Sequence, residues 1–106
     1  MGVRQDFVSQ ISSLLHGNFV YGTFNKKPKL PYANYAREYS NNYFADDKVY
    51  LKKGTYTFRL VTQEKDFDLE EQIENIMDEL YIGYQVITEE DIDSEKVHVT
   101  EWSVMF

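Results

Sequence analysis

Very few side chains in this sequence could carry out chemistry on their own. It contains no cysteine and only two histidines, His16 and His98, placed near opposite ends of the chain. Without thiols there is no cysteine nucleophile, no disulfide framework and no cysteine-based zinc site. Carboxylates are plentiful: Asp46-Asp47 and the run Glu89-Glu90-Asp91-Ile92-Asp93-Ser94-Glu95 offer the hard oxygen ligands that suit divalent cations. That run lacks the sixth-position glycine and the spacing of an EF-hand loop, so it reads as a solvated acidic turn. No glycine-rich phosphate cradle and no GxSxG elbow occurs, and no carboxylate pair stands out for glycoside hydrolysis. The expectation is a protein that is not an enzyme and uses no cofactor and no metal.

Charge is the more informative property. The 106 residues carry a net charge of −7, which argues against a nucleic-acid binder because phosphate affinity comes mainly from Lys and Arg. Residues 1–63 hold nine Lys/Arg against four acids, whereas residues 64–106 hold two lysines against fourteen acids. A chain of this length is one domain, 1–106, so the asymmetry is expected to become two opposed faces of one body. Such a body suits head-to-tail association, the basic face of one copy meeting the acidic face of the next. The plainer alternative is a surface charged only for solubility. The nine tyrosines and seven phenylalanines fit core packing and protein interfaces better than base stacking, given the acidic balance. No apolar run approaches the roughly 20 residues of a bilayer span, and no secretory signal pattern opens the chain, so no membrane contact is expected.

Periodicity supplies the elements. Phe7, Ile11, Leu14 and Leu15 form one apolar stripe of a short helix, with Asp6 as its expected N-cap and Gly17 as its stop. Phe19–Phe24 is strand-like, and 25–31, with both prolines and three lysines, is a loop. Residues 32–39 and 48–52 are further strand candidates, with a turn at Lys53-Gly54 leading into Thr55–Thr62. That last run alternates cleanly: Tyr56, Phe58 and Leu60 on one face, Thr55, Thr57, Arg59 and Val61 on the other. A second helix over 67–80 places Leu69, Ile73, Ile76, Met77 and Leu80 on one face, with Asp66 as N-cap and Gly83 as its end. Strands over 84–88 and 96–104 flank the acidic turn. The order α-β-β-β-β-α-β-β predicts a two-layer α+β domain, a mainly antiparallel sheet with two helices packed on one face.

Several residues, taken in order, resemble a known family. Pro31-Tyr32 with Tyr35, Ser40-Asn41-Asn42 followed by Ala45-Asp46, and the Val49-Tyr50 strand come first. Leu60 to Thr62 with Lys65-Asp66, Leu69-Glu70 with Ile73-Glu74, and Ser94-Glu95-Lys96 complete the series. Together they resemble the small tail-completion or tail-terminator proteins of long, non-contractile-tailed phages and prophages of Gram-positive bacteria. The chain departs from that pattern at Phe67, where a proline is expected, and through most of its first thirty residues.

The resemblance implies a structural virion protein of α+β fold, a homo-oligomeric ring of six copies that caps the tail tube. Its partners would be further copies of itself, the tail tube protein and a head-side neck protein, first in the host cytoplasm and then in the virion. On this reading Glu70, Glu71 and Glu74 approach a neighbour's Lys26, Lys27 and Lys29, or its Lys52 and Lys53. The segment containing Asn41, Asn42, Tyr43, Phe44, Asp46 and Asp47 serves as a docking loop. Two alternatives are a head-side neck component (a stopper or adaptor) and an acidic inhibitor that mimics DNA. Nine basic residues among the first 63 weigh against mimicry.

Overall fold

The alternating run at 55–62 becomes the middle of the sheet. In the computed structural model, which describes residues 2–38 and 54–106, five strands form one sheet. The elements are α1 (Val3–Leu14), β1 (Phe19–Tyr21), β2 (Tyr32–Arg37), β3 (Thr55–Thr62), α2 (Phe67–Glu79), β4 (Gly83–Ile92) and β5 (Val97–Met105). Across the sheet the strands lie in the order β1-β2-β3-β5-β4. Only β1 and β2 pair in parallel; the other three pairs are antiparallel. The expected α+β class and mainly antiparallel sheet are therefore what the chain adopts. The strand expected at 48–52, and its turn at Lys53, lie outside the described residues.

Both helices cover the same sheet face. Phe7, Ile11 and Leu15 of the first helical segment meet Leu69, Ile73 and Met77 of α2 over Ala33, Tyr35, Phe58, Leu60, Trp102 and Val104. Phe58 is fully buried, with ring centroids of Phe7, Phe19 and Trp102 at 5.7, 5.5 and 5.4 Å. The opposite face has a smaller apolar cluster, Tyr32, Val61, Val97 and Val99, with Phe24 of the β1–β2 loop and Ile92 packed against it. Elsewhere that face is polar. Glu38 accepts from the hydroxyls of Thr57 (2.9 Å) and Ser103 (3.1 Å), and Arg59 pairs with Glu101 at 3.5 Å. No helix among the described residues is long and apolar enough to cross a membrane.

The boundaries correct several expectations. α1 begins at Val3 with Gly2 as N-cap, so Asp6 lies within the first turn, where the helix dipole favours an anion, and does not cap it. Asp66 caps α2 as expected, its side chain accepting from Leu69 N–H at 3.0 Å. Each helix ends on a left-handed residue directly after its C-cap, His16 (φ 57°) after α1, followed by Gly17 (φ 87°), and Tyr81 (φ 59°), not Gly83, after α2. Gly83 instead opens β4. The acidic run is mostly strand: β4 extends through Glu89, Glu90 and Asp91 to Ile92, pairing Glu89 with Thr100 and Asp91 with His98. A bulge between Val86 and Thr88 interrupts that ladder.

Phe58 is the hub of the aromatic core, so Phe58→Ala is expected to cost about 3–5 kcal/mol. The expected result is a much lower midpoint in urea denaturation monitored by Trp102 fluorescence.

Candidate functional site

The polar groups of the structure concentrate in one seam, where α2 crosses β5 and the edge strand β4. Every second residue of β5 points under the helices, and on this strand the set is His98, Thr100, Trp102 and Val104. Three of these carry polar atoms into a mostly apolar layer, where an unpaired donor is costly. The helix supplies acceptors. Glu70 Oε2 accepts from the Thr100 hydroxyl at 2.9 Å, and Glu74 Oε2 accepts from the indole Nε1–H of the fully buried Trp102 at 2.8 Å. One turn further on, Asp78 lies beside the phenol of Tyr84, the cross-strand partner of Val104; burial first, and then the Asp78 carboxylate, hold that phenol above its ordinary value.

At the head of the seam the charges cluster. Lys65 Nζ lies 2.8 Å from Glu70 Oε1 and 2.6 Å from Glu89 Oε2. Next to it His98, with its ring almost wholly buried, has Nδ1 at 2.7 Å from Asp91 Oδ1 and Nε2 at 3.0 Å from Glu89 Oε2. Both ring nitrogens face carboxylates, and only the doubly protonated ring can donate to both at once. The Lys65 hydrogen bond, opposed by partial burial and assisted by His98, holds the Glu89 carboxyl below its ordinary value. Burial pulls the Lys65 ammonium down, yet the hydrogen bonds and charges of Glu70 and Glu89 together outweigh it and leave it raised.

Glu70, Glu89 and His98 each bring a ligand atom to within 4.8 Å of the others, a spacing that suits a metal ion. The Lys65 ammonium already bridges both carboxylates of that trio, and both nitrogens of His98 are engaged. The cluster is thus an internal ion-pair network that fastens edge strand to helix.

This placement revises the anticipated contact surface. Of the three helix acids expected to meet a neighbour, Glu70 and Glu74 turn into the sheet and only Glu71 is exposed. Among the expected basic partners, Lys26 and Lys29 are exposed, while Lys27 reaches Glu95 of the same chain at 3.1 Å. Lys52 and Lys53 lie outside the described residues, as does the anticipated docking segment with Asn41, Asn42, Tyr43, Phe44, Asp46 and Asp47. The seam has a sequence signal of its own: carboxylates at 70, 74 and 78 flank the apolar stripe of α2 at one-turn spacing. Comparison with known proteins adds no assignment: no protein-family model matches the chain, and no curated protein matches it significantly.

Two tests follow from the seam. Glu74→Ala strands the buried indole N–H and is expected to cost about 1–3 kcal/mol, whereas Glu71→Ala, three positions away on the exposed side, should be near neutral. Thermal melts of the two variants check the pair. For pH, the lowered Glu89 contributes stability that is present above its unfolded value and lost as pH falls through its folded value. The raised Lys65 contributes stability that is present below its ordinary 10.5 and lost as pH rises through its folded value. Lys65→Met should therefore flatten both the acid and the alkaline limbs of a stability–pH curve.

Proposed function

We propose that the protein is a structural subunit of a phage or prophage tail. In this reading it is a tail terminator or tail-completion factor that assembles with copies of itself into a ring. The ring, of six copies by the resemblance, caps the tail tube and offers the head-side neck protein its joining surface. The role is not catalytic.

One observation supports this most directly. Sheet order converts the charge asymmetry of the sequence into an asymmetry between edges. Toward the β1 edge, α1 and β2 carry Arg4 and Arg37, and the β1–β2 loop carries Lys26, Lys27 and Lys29, of which Lys27 pairs with Glu95; the β4 edge, with α2, carries Asp68, Glu71, Asp78, Glu79, Glu90, Asp91 and Asp93. A ring needs unlike surfaces that meet head to tail, and a body with opposite charge at its two edges offers them. The residues that carry the resemblance hold this fold together: Tyr35 and Leu60 in the core, Asp66 at a helix cap, Glu70 and Glu74 in the seam.

Electron microscopy of a lysate from a phage or prophage lacking this gene tests the reading. The expected result is overlong tails of variable length, separate from full heads. Tails of normal length beside emptied heads would move the protein to the head-side neck. Intact infectious particles would overturn the tail assignment.

A further inference from the structure

At the end of the sheet formed by Arg37, Thr55 and Met105, five side chains from four elements surround one open cleft. Arg4 of α1, Tyr21 of β1, Tyr35 and Arg37 of β2 and Tyr56 of β3 line a volume of about 280 Å³. The aromatic rings are held firmly: Tyr21 meets Tyr35 edge-on at 4.9 Å, and Tyr56 stacks on Phe106 at 4.7 Å. Tyr35, only 4 % exposed, directs its hydroxyl to Arg4 Nη1 at 3.2 Å, and Tyr21 accepts from the Arg37 backbone N–H at 3.3 Å. Every one of these groups retains a proton to donate: two guanidiniums and three phenols. Among the described residues no carboxylate pairs with either arginine. Among the described residues, what the cleft lacks is an acceptor with negative charge, and the planar fork of arginine fits a carboxylate best.

The opposite end of the same sheet supplies that chemistry. Strand register places the β4–β5 turn, after Ile92 and before Val97, at the end where Thr62 meets His98. The eight residues of β3 between the two ends span roughly 25 Å, so no chain can reach its own cleft with its own turn. Asp91 is engaged by His98 and Glu95 by Lys27, which leaves Glu90 and Asp93 exposed and without a charged partner among the described residues.

We propose that the arginine–tyrosine cleft of one copy receives the Glu90 and Asp93 carboxylates of a second copy, end to end along the strands. This rests on the reading that copies of the chain associate, and it adds a contact between strand ends to the edge complementarity described above. The net charge of −7 makes copies repel at long range, but at 0.15 M salt the Debye length is about 8 Å, so the local complementary contact decides. The contact is heterologous and can close into a ring.

Sedimentation equilibrium of the full chain at 0.15 M salt tests it, with Arg4→Glu/Arg37→Glu as the cleft variant and Glu90→Lys/Asp93→Lys as the turn variant. All four positions are exposed, and circular dichroism melts establish that each variant is folded. Each variant alone is expected to associate about tenfold or more weakly than wild type, and a one-to-one mixture should regain most of that loss. Arg4→Lys/Arg37→Lys, which keeps charge but loses the fork, should fall between. Association unchanged in both variants, or unrestored in the mixture, would overturn the contact, as would a wild-type chain that stays monomeric at millimolar concentration. The tail assignment is decided separately by the deletion lysate, so the two can fail independently.

Discussion

The structure depends on a match between two repeat distances. Carboxylates at 70, 74 and 78 recur every four residues of α2, a rise of about 6 Å. The polar groups beneath them recur every two residues along β5 and its partner strand, about 6.8 Å. Glu70 over Thr100 and Glu74 over Trp102 are successive hydrogen-bonded rungs of this coincidence, and Asp78 lies beside Tyr84 one turn on. An apolar stripe such as Leu69, Ile73 and Met77 holds a helix against a sheet but permits small slides along it. Hydrogen bonds to buried donors do not, because a slip of one position leaves each donor unpaired. The seam therefore sets where α2 lies, while the apolar core supplies most of the adhesion.

The same acids that fix the helix also define the character of the sheet's outer edge. β4 is a long edge strand, exposed along most of its ten residues, and edge strands of that length tend to pair with other chains. Its glutamates and aspartates oppose self-pairing of two like edges, while Lys65 and His98 hold its distal half to the rest of the domain. At the other edge, β1 has only three residues and little backbone to offer. Both edges are guarded against casual pairing, one by charge and the other by brevity, which favours contacts made through side chains.

Much of this was legible in the sequence where periodicity and chemistry agreed. The faces of β3 follow from alternation, and the inner face of α2 from its apolar spacing together with the Asp66 cap. The fold class follows from those two elements and the punctuation between them. What sequence could not give is direction within a polar face. Glu70, Glu71 and Glu74 look alike on a helical projection, yet two are half-buried acceptors and one is solvated, because the partner donors belong to a strand 28 and 30 residues away. The acidic run at 89–95 was read only partly for a related reason: charge density suggested a turn throughout, whereas cross-strand partners at Thr100 and His98 carry the strand on to Ile92 and leave the turn to 93–96. The arginine–tyrosine cleft assembles from positions 4, 21, 35, 37 and 56, with no local pattern to announce it.

The bulge in β4 has the largest effect for its size. Side chains on a strand alternate, so Tyr84 and Val86 would be followed on the helix side by 88 and 90 if the ladder were regular. One surplus residue between Val86 and Thr88 reverses that parity, and Glu89 and Asp91 fall on the helix side instead. The bracket around His98 and the salt link to Lys65 thus depend on how many residues the strand contains as much as on which they are. A single-residue deletion there would invert the distal half of β4, turning Glu89 and Asp91 to the opposite face and bringing Glu90 to the helix side, without altering any other side chain. Length change at one position is consequently a route by which related chains could exchange a pinned edge for a loose one.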